Sequence, residues 1–406
     1  MNWKEITQLK PAVTYGDVEA APSDVGYDAS RLDMLNKHIQ SLIDEGLIWS
    51  GSYCLWKDGR VFANAAMGRL ATEWQGRERF LPDTLFELQS VGKVFTAIAI
   101  LKLMEDGILY LGQPVREWLA EFDADGFRDI TVLQLLTHTS GICALEGTAA
   151  GDDRSWRDFI DEKDPKGTWV KAVAAAGLHA EPGTKWIYSV MGYCLLGEII
   201  ERAAGIKAED YITENIFLPC EMYETHWRRQ ALQEQAARYN VANETDLRLV
   251  QRARENGWRA LADVTYPTYE GIPETAGGQM STCGEMIHLG EMLLRNGYYH
   301  GRRVIGRKAL EFLWTNLLGG HVRDQTYGRD RQMLYGAGVP IFSKRTDQDM
   351  ILSENTIYHE GAGRCALMVD REEDFAAVFQ TSFQREFGWD HRAVNGTASI
   401  IWSGIL

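Results

Sequence analysis

The chain has 406 residues, 45% hydrophobic and 24% charged, enough for a sizeable buried core in one large domain or two. A formal net charge of −15 argues against nucleic acid and anionic membrane surfaces as partners. The longest apolar run, residues 94–104, carries Lys102 and is too short to span a bilayer.

The opening residues, Met1-Asn2-Trp3-Lys4-Glu5-Ile6, lack the apolar core of a signal peptide, so the expected location is cytoplasmic. The six cysteines contain no C-x-x-C, and a chain of this length needs no disulfide staples, so free and mostly buried thiols are expected. The nine histidines show no tight ligand spacing, and neither a metal nor an organic cofactor is expected.

Residues 28–46 read as an amphipathic helix, with Leu32, Leu35, Ile39, Leu42 and Ile43 at helical spacing and Gly46 as the stop. Two short strand-like runs then flank Asp58-Gly59, a strong hairpin signal. After a loop with Pro82, Asp83 and Thr84 comes Glu87-Leu88-Gln89-Ser90-Val91-Gly92-Lys93, which opens a run apolar almost all round. That run predicts a buried helix stopped by Gly107. Thr131 is the expected N-cap of a short helix that ends in Thr137-His138-Thr139-Ser140-Gly141. Residues 146–164 read as an acidic surface loop, Pro182-Gly183 as a turn, and residues 191–204 as a helix closed by Gly205. Residues 228–259 are highly charged with little periodicity. Thr282-Cys283-Gly284-Glu285 has the form of a capping box, opening a helix that runs to Asn296.

Strand character returns at residues 335–339, 356–359, 365–369 and 375–379, with residues 370–374 as a hairpin turn and residues 393–405 as a closing helix. Strands at both ends with helices between predict an α+β fold. Its antiparallel sheet would form from residues 1–86 and 298–406, with a mostly helical lobe, residues 87–297, inserted between and the active site at the junction.

Three stretches carry chemistry. Ser90 and Lys93, at i and i+3, share a helix face, so hydroxyl and amine stand side by side. A helix start there also offers free N–H groups that favour negative charge. Tyr188 sits on a turn leading into a helix. In Tyr358-His359-Glu360-Gly361-Ala362-Gly363 a histidine and glycines interrupt a strand pattern, and such glycines often mark close approach of a ligand or another chain.

Together with Leu135-Leu136-Thr137-His138-Thr139-Ser140-Gly141 and Gly277-Gly278-Gln279-Met280-Ser281-Thr282, these stretches resemble one family. From about Asp28 to Leu406 the chain looks like the serine β-lactamase and penicillin-binding superfamily. It is nearest to the class C-like branch, which includes family VIII carboxylesterases, DD-peptidases and D-aminopeptidases. Ser90-Val91-Gly92-Lys93 matches S-x-x-K, Tyr188-Ser189 stands where other branches have S-D-N, and His359-Glu360-Gly361 stands at the K-T-G or H-x-G position.

The resemblance implies a β-lactamase/transpeptidase-like fold and a serine acyl-enzyme mechanism. Ser90 is the expected nucleophile, and Tyr188, or the Tyr188–Lys93 pair titrating as a unit, the expected base. The oxyanion hole is expected from the backbone N–H groups of Ser90 and Ala362. His359, Gly361, Gly278 and Gln134 are the expected substrate-binding residues.

Two departures bear on substrate. Val190 replaces the usual asparagine after Tyr188-Ser189, and His359, with Glu360 beside it, replaces the frequent lysine. Both point to a carboxylesterase on small uncharged esters. The alternatives are a D-amino-acid amidase or DD-peptidase, a β-lactamase, an acyltransferase, and a penicillin-recognising binding protein without turnover. The expected partner is a small ester or amide substrate, and oligomeric state is left open.

Overall fold

The computed structural model describes residues 1–74, 77–142, 161, 163–227, 272–324, 331–362, 365–383 and 391–406. Cys143, nearly all of the acidic loop at 146–164 and the charged segment 228–259 lie outside the described residues.

The chain opens with helix α1 (Trp3–Ile6), strand β1 (Val13–Tyr15) and helix α2 (Ala29–Asp44). Asp28 caps α2 by accepting from Ser30 N–H, and Gly46, at φ +70°, turns the chain out of it. Strands β2 (Ile48–Lys57) and β3 (Arg60–Trp74) form the hairpin expected at Asp58-Gly59, and both turn residues have positive φ (50° and 89°) as a two-residue turn requires. β4 (Arg77–Arg79) pairs back onto β3, and β5 (Phe86–Glu87) follows.

Helices α3 (Lys93–Glu105), α4 (Val132–Leu136), α5 (Pro165–Ala175), α6 (Val190–Ala204) and α7 (Ala208–Ile212) make up the described middle. Short strands β6 (His226–Trp227) and β7 (Gln279–Ser281) come next, then α8 (Cys283–Leu294), the ribbon β8 (Tyr298–Tyr299) and β9 (Arg302–Arg303), and α9 (Arg307–Trp314). The chain ends in β10 (Ile357–Gly361), β11 (Cys365–Asp370), β12 (Phe375–Phe383) and α10 (Thr397–Trp402).

The principal sheet is antiparallel with strand order β1-β3-β2-β12-β11-β10, so strands from both chain ends share it. The seam is the β12–β2 pair, running from Phe375 opposite Lys57 to Phe383 opposite Ile48. Both sheet faces are covered, and alternate side chains feed two cores. Cys54, Trp56, Ala376 and Val378 point into the larger core, with α3, α6 and α8. Tyr53, Leu55, Ala377 and Phe379 point into the other, against α2 and α10. A second, three-stranded sheet, β5-β7-β6, has no counterpart in the sequence reading.

Several expectations need correction. Residues 335–339 form a tight turn, not a strand: Gly336 N–H donates to Val339 O, and Gly338 at φ +82° lets the chain approach Ala97 of α3. Thr282 caps α8, accepting from Glu285 N–H at 3.1 Å, but the box is half made. The Glu285 carboxylate instead accepts from Glu224 N–H and Thr225 Oγ1, at 2.7 and 2.6 Å. The closing helix is preceded by one wide turn, Arg392–Gly396. The five described cysteines are free and buried.

Candidate active site

Ser90 lies in a tight 3-10 turn, Gln89–Gly92, which joins β5 to α3, so the regular helix begins at Lys93 and not at Ser90. Gln89, just before the serine, has φ +50°, a left-handed conformation that a non-glycine residue adopts at a cost. Surrounding backbone holds the turn on three sides. Leu88 N–H donates to Gln279 O at 2.9 Å. Gly277 packs on the Gln89 carbonyl and Gly361 on the Leu88 carbonyl, approaches that a Cβ at either position would block. The Gln279 side chain lies over Gly92 in the same way.

The i, i+3 spacing brings hydroxyl and amine together as expected: Lys93 Nζ donates to Ser90 Oγ at 3.0 Å. It also donates to Ala276 O at 2.7 Å, a partner no local pattern indicates. Thr96 and Thr275 fix that carbonyl's segment between α3 and α6 through bonds to Thr275 O and Tyr193 O, at 2.6 and 2.8 Å. Lys93 is fully buried, and burial lowers its pKa from the ordinary lysine range to about 7, with the Cys194 thiol opposing the shift. Ser90 remains half-buried.

Tyr188 precedes Ser189, the N-cap of α6, whose Oγ accepts from Gly192 N–H at 2.9 Å. Tyr188 is half-buried, with Lys93 Nζ 4.9 Å from its ring centroid; the buried Tyr193 ring flanks the same amine at 5.5 Å. Lys93 Nζ therefore bonds Ser90 Oγ and faces the Tyr188 ring. On the sheet side, β10 ends against the serine turn, and Ala362, the expected second oxyanion donor, follows at φ +45°.

Two buried histidines complete the surroundings, and they hold opposite tautomers. His359 Nδ1 donates to Glu360 O at 2.9 Å, which leaves Nε2 as a bare acceptor. Burial, then the nearby Lys93, lowers its pKa to about 3, so this imidazole is neutral at pH 7. Glu360 alternates to the less buried side of β10. His138 Nδ1 accepts from Ser189 N–H at 3.0 Å, so the proton sits on Nε2. Burial, then Lys93 and His359, keeps its pKa well below the usual histidine value.

Of the remaining expected substrate-binding residues, Gln134 and Gly278 make local contacts. Gln134 closes a capping box on α4: its Oε1 accepts from Thr131 N–H at 3.0 Å and its own N–H donates to Thr131 Oγ1 at 3.2 Å. Gly278 packs against the Glu274 side chain, where a Cβ would collide. His138 was not among the expected site residues, although Thr-His-Thr at the end of a short buried helix is the signal that marks it.

The Beta-lactamase family model matches residues 35–395. The chain belongs to the β-lactamase family. Within that family it is 33% identical over 194 residues to penicillin-binding protein 4* of Bacillus subtilis, a match covering 47% of this chain and 41% of that protein. It is 36% identical over 203 residues to esterase EstB of Burkholderia gladioli, covering 47% and 49%. The chain thus aligns with less than half the length of these curated relatives. The crystal structure of a family VIII carboxylesterase superposes with a TM-score of 0.70 at 17% identity, covering 96% of this chain and all of that one. The fold is accordingly the β-lactamase/transpeptidase-like one. Among the described residues no helix is long and apolar enough to cross a membrane.

Proposed function

We propose that the protein is a serine hydrolase working through an acyl-enzyme, acting as a carboxylesterase on small uncharged esters. The observation that carries this reading is the 3.0 Å bond between Ser90 Oγ and a buried amine whose pKa lies near 7. An amine so tuned populates its neutral form near pH 7 and can take a proton from a hydroxyl it touches.

Ser90 Oγ attacks the ester carbon while its proton passes to the Lys93–Tyr188 pair, Lys93 being the nearer acceptor. The carbonyl oxygen gathers negative charge before the Ser90 and Ala362 N–H groups, each such donor contributing about 2.7–4 kcal/mol in the transition state. The C–O bond to the alcohol breaks, and the alcohol leaves with the proton held by the pair. Water then repeats the sequence in reverse roles and frees the acid. The proposed site lies where the end of β10 packs on the serine turn at the start of α3. The uncharged substrate follows from His359: its bare Nε2 accepts hydrogen bonds and offers no cation to a carboxylate. The name of the relative EstB agrees with an esterase.

The test is hydrolysis of p-nitrophenyl butyrate by wild type and Ser90→Ala, with intact mass recorded during turnover. Turnover and a butyryl adduct in the wild type only are the expected result. Absence of both, or nitrocefin hydrolysis well above ester hydrolysis, would overturn the esterase reading and favour an amide or β-lactam substrate.

A further inference from the structure

His138 belongs to a stretch that the mechanism above does not use, yet it grips the segment carrying Tyr188. Its carbonyl accepts from Ile187 N–H at 2.8 Å and its Nδ1 accepts from Ser189 N–H at 3.0 Å. One residue thus binds the backbone on both sides of the tyrosine. Its ring lies 4.5 Å from the Tyr188 ring at 38°, and Trp186, Tyr193 and Tyr335 enclose it at 5.1–5.6 Å. Neighbouring bonds reinforce the grip: Thr139 O accepts from Gly183 N–H at 2.7 Å, and Leu136 O accepts from the Tyr193 hydroxyl at 2.9 Å.

The conformation at this residue restricts what can replace it. His138 has φ +57°, where histidine, asparagine and aspartate are enriched among non-glycine residues. Its ring must also present a lone pair at Nδ1, so the neutral tautomer protonated on Nε2 is required. A side chain that accepts from Ser189 while its backbone is left-handed meets both demands, and few do.

We propose that His138 is a positioning residue for Tyr188, holding the phenol beside the Lys93 amine through the Ser189 and Ile187 hydrogen bonds. The proposal rests on the reading that Ser90, Lys93 and Tyr188 perform acyl transfer. Its effect is on the orientation of the proton-handling pair, so the chemical step suffers when the grip is lost while substrate affinity does not. Misplacing a catalytic group by about 1 Å costs about a hundredfold in rate.

The experiment is p-nitrophenyl butyrate hydrolysis and thermal unfolding of wild type, His138→Phe, His138→Asn, Tyr188→Phe and the double variant His138→Phe/Tyr188→Phe. Phenylalanine keeps a ring among its aromatic neighbours and removes the acceptor. Asparagine keeps an acceptor near Nδ1 and tolerates the left-handed backbone. Expected are a kcat loss of about 10–100-fold at similar KM in His138→Phe, and a kcat within about threefold of wild type in His138→Asn. In the Tyr188→Phe background, His138→Phe lowers kcat less than about twofold further, because the tyrosine it positions is already gone.

Equal losses in both backgrounds overturn the proposal, as does a large loss in a stably folded His138→Asn. Should His138→Phe fail to fold, His138→Ala against His138→Asn reads the same contrast. Turnover that depends on Ser90 but not on Tyr188 overturns this inference alone. A wild type without Ser90-dependent turnover overturns the proposed function and this inference with it.

Discussion

At the scale of the residue, Lys93 has the most to reveal, because burial sets both its chemistry and its cost. With a pKa lowered to about 7, the amine gains its base form as pH rises. The kcat/KM for an uncharged ester should therefore climb with pH, inflect near 7 and level off above it. Lys93→Met should lose at least about a hundredfold at every pH if the amine is the general base proposed above. The same shift has a stability consequence. Above about pH 7 the native state releases a proton that the unfolded chain keeps up to the ordinary lysine range. Folding stability should thus rise with pH across that window, by up to about 1.4 kcal/mol per pH unit, and urea titrations of Lys93→Met should lack this contribution. His359 makes a separate prediction. A lysine there supplies the cation that the bare imidazole acceptor lacks, so His359→Lys should raise relative kcat/KM for acyl groups bearing a carboxylate by about tenfold, read against an uncharged ester of equal length. Ser90 and Lys93 were legible because i, i+3 geometry is local. The Ala276 carbonyl on Lys93 was not, being brought by a segment 183 residues away.

At the scale of the element, glycines set how near the parts can come. Gly361 ends β10 against the Leu88 carbonyl, beside the Gln89 side chain, so an added methyl collides with backbone that has nowhere to move. Gly361→Ala should cost about 1–3 kcal/mol of stability by overpacking. It should cost kcat by about tenfold or more, because the displaced turn carries Ser90 and the strand end leads to Ala362, the proposed oxyanion donor. Unfolding midpoints and single-turnover acylation rates separate the two effects. Elements with their own local signals were read well: Asp28 and Gly46 bound α2, Asp58-Gly59 makes the β2–β3 hairpin, and Gly205 stops α6 at φ +73°. Elements that exist only through distant pairing were not. β5, β6 and β7 are two or three residues each and stand by pairing Phe86 with Ser281 and Trp227 with Gln279. The half-made box at Thr282 has the same origin, since distant Glu224 and Thr225 claim the Glu285 carboxylate that a local pattern assigns to the cap. Thr131 caps α4 as its local pattern indicates, and Gln134 adds the reciprocal bond that completes the capping box.

At the scale of the whole molecule, the β12–β2 seam joins strands from the two chain ends in one sheet, and one cooperative unit is the expected result. The last helix reinforces it from the face opposite α8: Trp402 Nε1 donates to the buried Asp370 Oδ2 at 2.9 Å, and its ring meets Phe375 edge-on at 5.0 Å. Asp370 in turn organises the β11–β12 turn, its Oδ1 accepting from Glu372 and Glu373 N–H at 3.0 and 3.2 Å. Trp402→Ala opens a large cavity and strips a buried carboxylate oxygen of its donor, so it should destabilise the protein by about 3–5 kcal/mol. Trp402 packs in the core on the other face of the sheet from the helical side where Lys93 and Tyr193 lie. The folded fraction should therefore keep its kcat, and loss of activity in urea should follow loss of tertiary structure at one shared, lowered midpoint. A kcat deficit in folded Trp402→Ala would mean that strain crosses the sheet to the serine turn through β10 and β11. Separate midpoints for activity and structure would mean that the helical segment unfolds apart from the sheet, and that the seam does not bind the molecule into one unit.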